Sequence, residues 1–169
     1  MSLIRTVYMG IGGSGGYIIK HHNYFFSDKR YFYLDRIVDL QHFSDELNEL
    51  ERNIYDKQNL STYFRKENRY ELFLGLGGKT GSSCIIEILD FLNSNGIYYK
   101  CYCFYPYSFE PNTRISVADK TLVKLKQYQG VTVLYMDEIK KRYMNLNLAS
   151  VFSIPNEVLV KNYLKNDSV

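Results

Sequence analysis

The chain of 169 residues is long enough for one domain with a substantial core, and its net charge of +3 is too small and too scattered to predict a nucleic-acid-binding surface. No apolar run reaches the roughly 18 residues of a membrane span, and no signal peptide is visible, so we predict a cytoplasmic protein. Three cysteines without C-x-x-C spacing indicate neither a disulfide framework nor a zinc site, and we predict no protein-bound metal.

The first predicted unit is a strand, a glycine loop and a helix. A β-like run at 4–9 leads into the loop GIGGSGG at 10–16, and residues 17–20 open a helix. The glycines fit the dinucleotide pattern G-x-G-x-x-G, and Asp35 ends the next strand, where a dinucleotide-binding protein keeps its ribose-binding acid. A nicotinamide-dinucleotide site is therefore one open interpretation of this segment. The candidate phosphate-binding residues are Gly12, Gly13, Ser14, Gly15 and Gly16.

A second unit of the same kind follows, with an apolar strand at 72–74, the loop GLGGKTGSS at 75–83 and a helix from 82. Glycines let backbone N–H groups approach an anion, and a helix N-terminus adds partial positive charge, so this order predicts a phosphate site. A P-loop would need a glycine where Phe73 stands. Lys79 either touches a terminal phosphate or is a solvated charge, and Ser83 is a further hydroxyl donor. The candidate phosphate-binding residues are Gly77, Gly78, Lys79, Thr80, Gly81 and Ser82.

The rest of the chain alternates between predicted helices and strands. We expect helices at 38–52, 115–128 and 136–143 and from Pro155 onward, strands at 97–105 and 131–135, and a loop with a short helix at 53–69. This order predicts a three-layer α/β fold, a mostly parallel sheet with helices on both faces. Ligands bind such sheets beyond the carboxyl ends of the strands, where both glycine loops lie. One domain is expected to cover residues 1–169.

The loop at 75–83 resembles the tubulin/FtsZ signature Gly-x-Gly-Gly-x-Thr-Gly-Ser/Thr at every fixed position, with Lys79 where bacterial members usually have a third glycine. Three further segments are similar to that family in the same order. They are MGIGGSGG at 9–16, similar to its first phosphate loop, PYSFEPNTR at 106–114, similar to its Pro-Phe-x-Phe-Glu-Gly-x-x-Arg, and ASVFSIPNEVL at 149–159, similar to the start of its central helix. The resemblance implies a Rossmann-like domain that binds GTP or GDP.

The resemblance also implies site residues. Glu110 and Arg114 would contact the ribose, Phe152 would stack on guanine, and Asn156 would pair with the guanine edge. Magnesium would be held through the nucleotide phosphates and water. No catalytic residue is assigned.

Two departures from the family pattern qualify the implied activity. No counterpart of the Ala-Gly-Gly-Asn loop, which senses the third phosphate, lies between Arg52 and Tyr70, and the acidic loop and second domain that follow the central helix are not among these residues. The resemblance therefore implies weak hydrolysis in a prokaryotic cytoskeletal or cell-division-like protein, with self-association or a filament-forming partner. The alternatives are a regulatory or interaction module without GTPase activity and, last, a nicotinamide-dinucleotide enzyme.

Overall fold

The computed structural model describes residues 4–22, 31–35 and 52–142. The strands are β1 (Arg5–Ile11), β2 (Tyr31–Asp35), β3 (Arg52–Ile54), β4 (Asn68–Gly75), β5 (Tyr99–Tyr105) and β6 (Val131–Tyr135). The helices are α1 (Gly12–His22), α2 (Leu60–Tyr63), α3 (Lys79–Ser94), α4 (Asn112–Leu125) and α5 (Met136–Arg142), with a 3-10 turn at Lys57–Asn59. These strands form one sheet in the order β3-β2-β1-β4-β5-β6, and every neighbouring pair is parallel.

Helices cover both faces of the sheet because the central strands bury apolar side chains on both faces. On β4, Leu72 and Leu74 belong to a core that includes side chains of α2, α3 and α4, whereas Phe73 belongs to a core with side chains of α1 and α5. Ile88 of α3 and Ile18 of α1, one from each helical layer, are both fully buried. The predicted three-layer α/β fold is confirmed.

The sheet has an edge strand that the sequence did not predict. Arg52–Ile54 falls where a helix at 38–52 was expected to end and a loop to begin, yet it pairs with β2 from Tyr33 to Asp35. Three residues that include an arginine and an asparagine carry no apolar alternation, so only the neighbouring strand reveals this pairing. The short helix expected within 53–69 is present as α2. The remainder of the helix predicted at 38–52 and the helix predicted from Pro155 lie outside the described residues.

The order of the strands places a crevice between β1 and β4. The chain leaves β1 toward β2 on one side and leaves β4 toward β5 on the other, so α1 and α3 pack on opposite faces. This is the topological switch point at which open α/β sheets bind ligands. The register pairs Ile11 with Leu74, so Gly12 and Gly75, which follow these two residues, lie at the same level.

Candidate functional site

The two glycine loops are in direct contact. Gly12 has φ +71°, a conformation that favours glycine, and a Cβ there would lie 3.3 Å from the Gly81 nitrogen and 3.4 Å from the Thr80 Cβ. On the other side of the crevice, a Cβ on Gly75 would lie 2.7 Å from the Ser14 Oγ. The loops therefore form one continuous rim at the carboxyl ends of β1 and β4.

Backbone packing explains two glycines of the first loop. A Cβ on Gly10 would lie 2.4 Å from the carbonyl oxygen of Gly15, and a Cβ on Gly15 would lie 2.2 Å from the carbonyl oxygen of Phe73. No side chain fits at either distance. The first turn of α1 is thus packed backbone to backbone against β1 and β4, and α1 begins at Gly12, earlier than the sequence predicted.

The second loop is packed in the same way. Gly77 has φ +84°, and a Cβ there would lie 2.4 Å from the carbonyl oxygen of Arg114. A Cβ on Gly81 would lie 2.8 Å from the carbonyl oxygen of Gly75. Because of the first contact, the opening turn of α4 rests directly on the second glycine loop.

Gly13 and Gly78 are not required by such packing. A Cβ on Gly13 would meet no atom within 4 Å, and one on Gly78 would meet only the Gly75 carbonyl oxygen, at 3.9 Å. Gly78 has φ −80° and ψ 162°, which any residue adopts, and Gly13 is not among the glycines with positive φ. At these two positions, the protein itself leaves room for a side chain.

The polar groups of the second loop differ in their surroundings. The Ser82 hydroxyl accepts a hydrogen bond from the Gly77 N–H at 2.7 Å, which fixes the turn and leaves the hydroxyl proton available. Ser83 instead donates back along α3, to the Lys79 carbonyl oxygen at 2.5 Å, so its hydroxyl proton is engaged within the helix. Thr80 is buried, and Lys79 is exposed at the first position of α3.

A cleft of about 370 Å³ opens beside the first loop. It lies between the start of α1, the ends of β4 and β5, and the start of α5. The residues that line it include Gly13, Ser14, Tyr17, Gly75, Phe104 and Met136. Tyr17, Phe104 and Met136 were not predicted as site residues, although Tyr17 directly follows the first glycine loop.

Glu110 and Arg114 form an ion pair at the same cleft. Arg114 Nε lies 2.7 Å from Oε2 of Glu110, which stands four residues earlier in the chain and precedes α4, and the side chains of Arg114 and Glu110 are 37% and 10% exposed. The other carboxylate oxygen of Glu110 accepts a hydrogen bond from the Tyr107 N–H at 2.9 Å. The carboxylate is therefore held in place by an arginine and by the loop that precedes α4, and both side chains border the cleft.

The loop between β5 and α4 is also tied to α5. The Ser108 N–H lies 3.2 Å from both carboxylate oxygens of Asp137, the rings of Tyr107 and Phe109 stack at 4.8 Å, and Lys140 Nζ lies 5.2 Å from the centre of the Phe109 ring. Burial, with the nearby charges of Glu110 and Asp137, raises the pKa of Tyr107 to about 12. This loop forms the outer edge of the cleft.

One predicted position lies away from this arrangement. Asp35 ends β2, on the opposite side of β1 from the strands that border the cleft. Phe152 and Asn156 lie outside the described residues. Within residues 4–22, 31–35 and 52–142, no group of three or more His, Cys, Asp or Glu residues could hold a metal ion. In the same ranges, no helix is long and apolar enough to cross a bilayer.

No protein-family model and no curated protein matches the chain, but its fold is similar to that of several solved structures. It matches an FtsZ dimer of M. jannaschii with a TM-score of 0.77 at 15% identity, over 96% of this chain and 54% of that chain. It matches CetZ2 of Haloferax volcanii, in a GTPγS-bound protofilament, with a TM-score of 0.69 at 14% identity, over 94% and 56% of the two chains. It matches TubZ of Bacillus thuringiensis serovar israelensis, in a GDP-form protofilament, with a TM-score of 0.66 at 13% identity, over 96% of this chain and 55% of that chain.

The chain therefore has a tubulin/FtsZ-like fold, as its four motif-like segments predicted. It spans slightly more than half the length of each of these structures.

Proposed function

We propose that this chain binds guanine nucleotide, GTP or GDP, as a single tubulin/FtsZ-like domain, with the phosphates between its two glycine loops. The observation that carries the proposal is the pair of open glycines, Gly13 and Gly78. Each stands in the first turn or at the cap of a helix, and no contact within the protein excludes a side chain there. A bound anion that approaches the backbone closely would explain why these two positions are glycine.

The charges of the rim favour an anion. The N-termini of α1 and α3 meet at the crevice, and helix N-termini carry partial positive charge and unsatisfied N–H groups. No acidic side chain lies in the first turn of either helix. Thr80 and Ser82 would add hydroxyl donors, and Lys79 would reach the terminal phosphate. Magnesium would be bound by phosphate oxygens and water.

The ion pair of Glu110 and Arg114 would hold the ribose. One carboxylate oxygen of Glu110 accepts a hydrogen bond from the Tyr107 N–H, the other is paired with Arg114 Nε at 2.7 Å, and a carboxylate has about four acceptor sites. Lone pairs therefore remain for the ribose hydroxyls, and the fixed carboxylate would meet them without reorganising. Phe152 and Asn156 are proposed for the guanine base, by resemblance. The proposal is one of binding, and it assigns no catalytic residue.

Two alternatives are less well supported. A dinucleotide site would use Asp35, but the cleft opens toward β4 and β5, away from β2, and the second glycine loop would have no role. An interaction module that holds no nucleotide would leave Gly13 and Gly78 unexplained. Because CetZ2 and TubZ were solved as protofilaments, we also propose self-association, or a filament-forming partner, in a prokaryotic cytoskeletal role.

Calorimetric titration with GDP, GTP and ATP in the presence of magnesium tests the proposal. GDP and GTP should bind more tightly than ATP, and Gly78→Val should abolish nucleotide binding. Thermal unfolding of this variant should stay cooperative, because the added Cβ would lie 3.9 Å from its nearest neighbour, the Gly75 carbonyl oxygen. Ser94→Val, exposed near the far end of α3, is the matched control and should bind normally. A wild-type chain that binds no nucleotide would leave the interaction module as the better interpretation.

A further inference from the structure

A partly exposed aromatic ring forms one wall of the cleft. Tyr17 is 37% exposed, whereas the residues that follow it on α1, Ile18 and Ile19, are completely buried. It lies three residues after Ser14 and four after Gly13, so the three residues share one face of the helix. Long helical side chains point back toward the helix N-terminus, which brings this ring toward the first glycine loop.

The surfaces around this ring divide into apolar and polar parts. Phe104 at the end of β5 and Met136 at the start of α5 are 6% and 8% exposed and contribute apolar surface to the same cleft. The polar contributions come from the first glycine loop and from the ion pair of Glu110 and Arg114. The cleft thus offers an apolar, aromatic-walled space beside groups suited to phosphate and ribose.

We propose that the Tyr17 ring stacks on the base of the bound nucleotide and supplies much of the affinity for the nucleoside part. The inference rests on the proposed nucleotide binding and adds a base contact from α1. Every nucleobase has a π-face, so stacking adds affinity with little discrimination between bases. A tyrosine ring provides a large rigid contact with only two rotatable side-chain bonds. The ring, rather than the hydroxyl, would make the contact.

Two ligands, GDP and pyrophosphate, separate the base contact from the phosphate contact. Replacing an aromatic stacking residue with alanine weakens binding by roughly five- to 150-fold per base. Tyr17→Ala should therefore reduce the affinity for GDP by about tenfold or more and leave the affinity for pyrophosphate unchanged. Tyr17→Phe should restore most of the GDP affinity. Tyr98→Ala is the control, because Tyr98 is 55% exposed and precedes β5, at the opposite end of that strand from the cleft.

Calorimetry with the four proteins distinguishes the explanations. Unchanged GDP affinity in Tyr17→Ala would overturn the inference and leave the proposed function intact. An equal loss of GDP and pyrophosphate would overturn it in favour of a supporting role for Tyr17 in the phosphate loop. A Tyr17→Phe variant as weak as Tyr17→Ala would overturn stacking in favour of a hydrogen bond from the hydroxyl. A wild-type protein that binds neither ligand would overturn the proposed function together with this inference.

Discussion

A methyl group added at Gly13 should stabilise the fold and weaken nucleotide binding. Gly13 is the second residue of α1, its φ is not positive, and a Cβ there meets no atom within 4 Å. Alanine at such a position stabilises a protein by about 0.4–1 kcal/mol, mainly by restricting the unfolded chain. In a domain of this size, 1 kcal/mol corresponds to roughly 2–4 °C. The melting temperature of the unliganded Gly13→Ala variant should therefore rise by about 1–4 °C.

The same methyl group should obstruct a phosphate. If the anion is held by backbone N–H groups of the first loop, the Cβ would push it away from at least one charge-assisted hydrogen bond. Such a bond contributes about 1.5–3 kcal/mol, so GDP should bind roughly ten- to a hundredfold more weakly. Stability and affinity would then change in opposite directions in a single variant.

Gly15→Ala is the matched control, two residues along the same helix. Its Cβ would lie 2.2 Å from the Phe73 carbonyl oxygen, and because that oxygen belongs to the central strand β4, the helix must shift. Overpacking of this kind costs about 1–3 kcal/mol, so the melting temperature should fall. Thermal unfolding and GDP titration measure both quantities. A Gly13→Ala variant that is stabilised but binds GDP normally would refute the placement of phosphate at the first loop.

If Lys79 reaches the third phosphate, Lys79→Ala should weaken the binding of GTP more than the binding of GDP in a calorimetric titration. An equal loss of affinity for the two nucleotides, or no loss, would indicate that Lys79 is a solvated charge. Asn156→Ala should reduce the preference for GTP over ATP, because a site built on hydrogen bonds rejects a base that cannot make them; equal affinities of the wild type for the two nucleotides would contradict the assignment. Tyr105 donates a hydrogen bond to Asp119 at 2.6 Å, and this bond, with burial, raises the tyrosine pKa from 10.0 to about 12. Because folding raises this pKa, the stabilisation from the protonated tyrosine is complete below about pH 10 and is lost between about pH 10 and 12. In urea unfolding, the Tyr105→Phe variant should therefore lose less stability over that pH range than the wild type does. An equal loss in the two proteins would refute the contribution of this hydrogen bond.

The strands and helices that flank the two glycine loops could be predicted from the sequence, because a glycine cluster between a strand and a helix is visible within a short stretch of residues. The family resemblance singled out Glu110 and Arg114, and the structure pairs their side chains. The sequence could not predict β3, whose pairing depends on β2 alone. Nor could the sequence distinguish the role of Gly13 from that of Gly15. Gly13 faces open space, whereas Gly15 packs against the carbonyl oxygen of Phe73, a residue far away in the sequence.

Tyr17 shows a further limit of the sequence. A tyrosine after a glycine loop is compatible with the core, the surface or a ligand, and only the end of β5 and the start of α5 reveal that it borders a cleft. Ser83 shows the converse case. Its hydroxyl has the right chemistry for a phosphate and a suitable position in the loop, but it donates its hydrogen bond to a carbonyl oxygen of its own helix.

The contacts that shape the rim have a consequence for sequence divergence. Gly15 rests on the carbonyl oxygen of Phe73, and Gly77 rests on that of Arg114. A carbonyl oxygen is the same whatever side chain its residue carries, so substitutions at the supporting position leave such a contact intact provided the backbone stays in place. The geometry therefore depends on a few glycines rather than on a complementary set of side chains. A chain built in this way can exchange most of its other residues while it retains the same two loops.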